Sequence, residues 1–151
     1  MHRVLFVCHG NICRSTMAEF VLKDMVEKRG VADRFAIASA ATSTEEIGNP
    51  VHPGTQRMLR AHGIGGFKAK RARQLRRSDY DDYDLIIGMD EANVRNMDRM
   101  LGGDPSGKIH LLLEYAGEHR AIVDPWYTGD FETTYRDVVA GCEGLLRELE
   151  A

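Results

Sequence analysis

Apolar residues first gather at Val4-Leu5-Phe6-Val7, an unbroken run between Arg3 and Cys8. Such a run fits a parallel strand buried on both faces, and Arg3 to Val7 is read as the first strand. Beyond Ser15-Thr16 the period changes. Ala18, Val21, Leu22 and Met25 recur at helical spacing and Gly30 closes the segment. Ser15 or Thr16 is expected to cap this helix, with Thr16-Met17-Ala18-Glu19 as a capping box. Phe35 to Ser39 reads as a second strand, Thr42 to Pro53 as a long loop, and residues 54–62 as a helix stopped by Gly63. Asp84 to Met89 reads as the third strand, and Glu91 to Met100 as a helix ended by Gly102-Gly103. Lys108 to Leu113 is expected to form the fourth strand. Residues 114–131 read as a long connection and residues 133–149 as a terminal helix.

This alternation predicts an α/β fold, a doubly wound three-layer arrangement in which a four-stranded parallel sheet is flanked by helices. Ligands of such sheets sit beyond the carboxyl ends of the strands. Cys8 lies at such an end, and Asp124, which follows the fourth strand, can reach the same mouth.

Composition narrows the picture. A chain of 151 residues suits one domain over residues 1–151. Hydrophobic residues at 43% and charged residues at 28% argue against disorder. A net charge of -3 offers no broad basic surface, so nucleic acid is not expected as a partner. The absence of a long apolar run or a signal-like start points to a cytoplasmic protein without a membrane partner. Three cysteines suit reactive or buried thiols better than bridges. The histidines at 2, 9, 52, 62, 110 and 119 show no metal spacing with them, so no metal site is expected. The basic cluster Lys68, Lys70, Arg71, Arg73, Arg76 and Arg77 runs straight into Asp79, Asp81, Asp82 and Asp84, which reads as a mixed solvated face.

The chemistry concentrates in Cys8-His9-Gly10-Asn11-Ile12-Cys13-Arg14-Ser15. A strand that turns through a glycine-containing loop into a helix makes an anion site, because backbone N–H groups and the helix dipole point into the loop. A cysteine in that field ionises readily and becomes a nucleophile. Arg14 offers a planar fork that pairs with two phosphoryl oxygens. The loop still lacks a proton for the leaving group. Asp124, stiffened by Pro125, is the candidate general acid and then base.

With Asp124-Pro125-Trp126-Tyr127, the stretch Val7 to Ser15 resembles the low-molecular-weight protein-tyrosine phosphatase family. Ser39-Ala40-Ala41-Thr42-Ser43, Ile47-Gly48-Asn49-Pro50, Ala72-Arg73-Gln74 and Met89-Asp90-Glu91-Ala92-Asn93 carry the resemblance through the chain. It implies a hydrolase needing neither metal nor other cofactor, with Cys8 as nucleophile, Arg14 as phosphate clamp and Asp124 as acid and base. Loop residues His9, Gly10, Asn11, Ile12, Cys13 and Ser15 would hold the phosphate, Ser15 also donating to the Cys8 thiolate. Asn11 and Ser39 would brace the loop, and Trp126 and Tyr127 would sandwich a phenyl ring or pack as rim. Cys13 would trap oxidised Cys8 as a reversible disulfide, or serve as a small buried hydrophobe. Cys142 reads as structural. Expected partners are phosphotyrosyl proteins or small aryl phosphates, with inorganic phosphate or vanadate as inhibitors, and the chain is expected to be a monomer or weak dimer.

Three positions depart from that pattern. Thr16 stands where proline is frequent, Lys70 where many members carry a bracing histidine, and Glu45 where many carry an aromatic pocket wall. Glu45 and Glu46 at the entrance are expected to disfavour acidic peptides.

Three other functions fit part of this pattern. Arsenate reduction would need a further cysteine pair, and no cysteine falls between Cys13 and Cys142. Phosphoarginine hydrolysis accompanies threonine at the Ile12 position in close relatives, whereas Ile12 suits a phenyl ring. A silent phosphate-binding module would need neither a nucleophile nor an acid.

Overall fold

The computed structural model describes residues 1–150, so residue 151, the end of the expected domain, lies outside the described residues. β1 (His2–Cys8) leads through the loop into α1 (Arg14–Lys28), and a 3₁₀ turn at Ala32–Arg34 precedes β2 (Phe35–Ala41). Then come α2 (Pro53–Ala61), α3 (Asp79–Asp82), β3 (Leu85–Gly88) and α4 (Glu91–Leu101). β4 (Ile109–Leu111) runs into a 3₁₀ turn at Leu112–Ala116, followed by α5 (Pro125–Thr128) and α6 (Phe131–Leu149).

All four strands are parallel in the order β2-β1-β3-β4. β2 pairs with one edge of β1 and β3 with the other, so the chain switches direction across β1. Val4 to Val7 are fully buried, as a strand covered on both faces requires. Val4, Phe6 and Cys8 pack among residues of α1 and α6, including Met17, Val21, Leu145 and Leu146. Leu5 and Val7 pack on the other face with Leu75, Met97 and Leu101. Each such side chain stabilises the fold by about 1.5–3 kcal/mol relative to exposure. The result is the expected three-layer α/β arrangement.

The element boundaries show where local pattern gave way. α1 begins at Arg14, with Cys13 at the N-cap position and no side-chain cap. Thr16 Oγ1 donates to the Cys13 carbonyl, and Glu19 is drawn to Ser39 instead of closing a capping box. A reciprocal capping box forms at α4, between Asp90 and Asn93. β4 stops at Leu111 because Leu112–Ala116 turns to meet α6, where Gly141 and Gly144 leave room for Leu112 and Tyr115. α6 starts at Phe131, capped by Asp130, whose Oδ1 accepts from Thr133 N at 3.0 Å. Within the charged segment, Asp79 is buried and bonded to Arg73, so that stretch is not wholly a solvated face.

Among the described residues, no helix is long and apolar enough to cross a membrane.

Candidate active site

The loop between β1 and α1 is held from outside. The carbonyls of Cys8, His9 and Ile12 accept from the backbone N–H groups of Thr42, Ser43 and His52 at 2.9–3.0 Å. The Cys13 carbonyl accepts from the Thr16 and Thr55 hydroxyls, each at 3.1 Å. In trans peptides, carbonyls drawn outward turn the opposite N–H edges inward, which gives the loop its anion-binding character.

Among the described residues, Asn11 takes the one positive φ outside glycine, 58°, a conformation its short polar side chain tolerates. Its carboxamide is fully buried and used at both ends. Nδ2 donates to Ser15 Oγ at 2.8 Å and Ser39 Oγ at 2.9 Å, while Oδ1 accepts from Arg73 N at 3.2 Å. Ser15 Oγ lies 3.0 Å from Cys8 Sγ. Ser15 and Asn11 are both fully buried and stand behind the loop rather than in the open cleft, which Cys8 lines.

The bracing continues inward. Ser39 Oγ donates to Glu19 Oε1 at 2.5 Å, and Lys23 reaches Glu19 Oε2 at 2.6 Å. Lys70 Nζ donates to the Ser39 carbonyl at 2.8 Å and lies 3.4 Å from Glu19. Lysine at this position therefore joins the brace instead of leaving it open. Burial lowers the proton affinity of Lys70, and Glu19 opposes that shift.

Arg14 is 2% exposed. One terminal nitrogen, Nη1, donates to Asp90 Oδ2 and the Ile122 carbonyl, each at 2.8 Å; the other, Nη2, lies 3.4 Å from Asp124 Oδ2. Burial opposes the guanidinium charge, but Cys8, Asp90 and Asp124 outweigh it and hold Arg14 firmly positive. Asp90 sits at the carboxyl end of β3. Its other oxygen caps α4 by accepting from Asn93 N at 2.7 Å. Asp124 caps α5 through Trp126 N at 3.1 Å, with Pro125 at the first helical position.

These groups enclose a cleft of about 250 Å³. Cys8, Gly10, Cys13 and Arg14 line its depth, and Asp124 stands beside them. Ile12 lines a wall and packs with Ala72 and Phe131. Trp126 and Tyr127 form an open rim, the first 56% and the second 82% exposed. Trp126 meets the His52 ring edge-on. Glu45 and Glu46 also line the cleft, with His9 Nε2 2.5 Å from Glu45 Oε2.

Cys13 is buried, and burial first, with the charges of Cys8 and Asp124, pushes its thiol well above the ordinary range. Cys142 lies fully buried on α6 against the Ala18 carbonyl, in keeping with a structural part.

The structure thus brings together Cys8, His9, Gly10, Ile12, Cys13, Arg14, Asp124, Trp126 and Tyr127 around the cleft, with Asn11, Ser15 and Ser39 behind it. Asp90 and Glu19 were missed as parts of the site. Asp90 carried a visible signal, an Asp-Glu-Ala-Asn capping pattern directly after a strand end. Glu19 carried none, because its partners are distant in sequence. Among the described residues, no group of three or more His, Cys, Asp and Glu side chains is placed to share a metal ion.

A sequence profile for low molecular weight phosphotyrosine protein phosphatases matches residues 3–151. The chain is 41% identical over 152 residues to the low molecular weight protein-tyrosine-phosphatase YfkJ of Bacillus subtilis, covering 99% of this chain and 97% of that one. The crystal structure of YfkJ superposes with a TM-score of 0.94 over 99% of this chain and 95% of that one. A low molecular weight protein tyrosine phosphatase from Streptococcus pyogenes superposes with a TM-score of 0.90 at 44% identity, over 100% of this chain and 95% of that one. A Drosophila arginine phosphatase does so with a TM-score of 0.89 at 33% identity, over 98% of each chain. With the match spanning nearly every residue, the chain belongs to the low molecular weight phosphotyrosine protein phosphatase family.

Proposed function

We propose that residues 1–151 act as one domain that hydrolyses the phosphate monoesters of phosphotyrosyl proteins and small aryl phosphates. The observation that carries this reading is the convergence on one cleft of Cys8 and Arg14, from the loop between β1 and α1, with Asp124 from a segment 110 positions beyond Arg14. Arg14 Nη2 and Asp124 Oδ2 lie 3.4 Å apart at its edge.

Phosphate enters among the inward N–H groups and pairs with the Arg14 fork, which Asp90 keeps pointed at the loop. Cys8 Sγ attacks phosphorus, and the bond to the aryl oxygen breaks. The protonated Asp124 carboxyl gives that oxygen its proton, so the alcohol leaves neutral. Asp124, now a carboxylate, takes a proton from water as the water oxygen attacks the phosphocysteine. The sulfur–phosphorus bond breaks and inorganic phosphate remains. Arg14 and the loop amides hold the equatorial oxygens through both steps.

Inorganic phosphate and vanadate should compete for the same loop. A monomer or weak dimer working in the cytoplasm is the state we assign. Ile12 and the Trp126–Tyr127 rim favour a phenyl ring, while the similarity to an arginine phosphatase favours a phosphoramidate. Arsenate reduction has less support: the third cysteine, Cys142, is fully buried on α6. A silent binding module leaves Asp124 at the cleft without a task.

Turnover of phosphotyrosine, phosphoarginine and arsenate, measured side by side with chelator present and vanadate as competitor, tests the reading. Phosphotyrosine should be hydrolysed fastest. Faster phosphoarginine turnover, thiol-dependent arsenite production or binding without turnover would each replace it.

A further inference from the structure

Residues 71–76 run beside the phosphate loop as a strap. Their backbone is tied to the end of β2, with Ala41 N donating to the Arg73 carbonyl and Leu75 N to the Ala41 carbonyl, both at 2.7 Å. The strap also meets the loop, through Arg73 N and Asn11 Oδ1 at 3.2 Å. That bond decides which way the Asn11 carboxamide points. With Oδ1 committed to an N–H donor, the amino end faces Ser15 Oγ and Ser39 Oγ and donates to both. Ser15 Oγ, accepting from Asn11 Nδ2, has its own proton to give to Cys8 Sγ, 3.0 Å away, once that sulfur is a thiolate. A flipped carboxamide would set two donors against each other at Arg73 and leave Ser15 without its donor.

Asp79 holds Arg73 in place. The Arg73 fork is bidentate on its carboxylate, at 3.0 and 3.2 Å, and Asp79 Oδ2 also accepts from Arg76 N at 2.8 Å. Asp79 is 1% exposed. A buried carboxylate is costly unless fully bonded, so replacing either partner leaves a real deficit. Neither residue lines the cleft.

We propose that the Arg73–Asp79 pair positions the nucleophile. It fixes the strap so that Arg73 N orients the Asn11 carboxamide, and through it the Ser15 hydroxyl at Cys8. The proposal rests on reading Cys8 as the attacking group. Arg73 and Asp79 are positioning residues, acting through Asn11 and Ser15, and the outcome is set by whether the strap's backbone ties to β2 suffice without the pair.

A double-mutant cycle between Asp79→Asn and Asn11→Ala tests this, reading kcat and KM on an aryl phosphate, the rate of Cys8 alkylation by iodoacetate, and the melting temperature. Asp79→Asn should lower kcat about tenfold and slow alkylation while KM changes less than about threefold, a misplacement effect on the reacting group. Arg73→Lys, which replaces the fork by a point charge, should act the same way. In the Asn11→Ala background, Asp79→Asn should change neither kcat nor alkylation further, because both act through one carboxamide. Losses that multiply, or a lower melting temperature with kcat and alkylation intact, would overturn the proposal. If Asp79→Asn does not fold, the cycle with Arg73→Lys decides it in the same terms. A parent protein without turnover would refute the phosphatase reading, and the alkylation cycle would still judge the positioning claim.

Discussion

Arg14 and Asp90 are joined by a 2.8 Å ion pair that links the first residue of α1 to the residue two positions beyond β3. The pair spans the place where the chain switches from one edge of β1 to the other. The sheet order thereby aims the proposed phosphate clamp, since neighbouring strand ends carry the two partners to the same mouth.

Asp90→Asn separates this task from the capping one. Asparagine retains an acceptor for Asn93 N but removes the charge that holds Arg14. The kcat/KM for an aryl phosphate should fall about ten- to a hundredfold with the melting temperature nearly unchanged. Asp90→Ala should add a stability loss of about 1 kcal/mol from the missing cap. Steady-state kinetics with thermal melts on both variants check the pattern.

Asp124 likewise has two oxygens with two tasks, Oδ1 capping α5 and Oδ2 facing Arg14. Asp124→Asn keeps the cap and removes the proposed proton donor. Hydrolysis of esters with poor leaving groups should drop by about 10²–10⁴, and that of nitrophenyl phosphate by far less. A rate plot against leaving-group acidity should steepen in the variant.

His52 makes part of the stability depend on pH. Its Nδ1 accepts from Gly54 N at the start of α2, and its ring stacks on Phe131 and meets Trp126. Burial first, then repulsion by Arg57, holds it below the ordinary histidine value of 6.5, against the pull of Glu46 and Asp124. The unfolded chain therefore takes up the proton first, since its histidine titrates at the ordinary value. The contribution of neutral His52 is fully present above about pH 6.5 and is lost as pH falls toward the folded value. His52→Asn keeps a capping acceptor and does not titrate. Melting temperatures between about pH 7 and pH 5 should decline more steeply for the parent than for the variant.

Gly144 lies where α6 presses on the 3₁₀ turn, and an added Cβ would overlap the Tyr115 carbonyl. Gly144→Ala should cost about 1–3 kcal/mol through displaced backbone. Urea denaturation should show a lower midpoint at unchanged slope.

Much of the site was legible because it is local. Cys8, the loop and Arg14 fall within seven consecutive residues that close a buried strand and open a helix, and Asp124-Pro125 announces its own cap. Asp90 and Glu19 were not legible as site parts, since their partners stand 76 and 20 positions away in sequence. Lys70 shows the same limit: a departure from the bracing histidine still joins the brace, through the Ser39 carbonyl 31 positions away. In the fold, Leu111-Leu112-Leu113 is one apolar run for a strand or a turn, and only packing against α6 divides it. The four-residue helices α3 and α5 are too short to show a period.

In the proposed mechanism Cys8 carries the phosphoryl group between substrate and water. Rapid acid quench of the Asp124→Asn protein with nitrophenyl phosphate, followed by mass spectrometry of the peptide containing Cys8, tests it directly. A phosphoryl adduct should form on Cys8 with the burst of nitrophenol and be missing in a Cys8→Ala control. An adduct on another residue, or a burst that persists in Cys8→Ala, would contradict it.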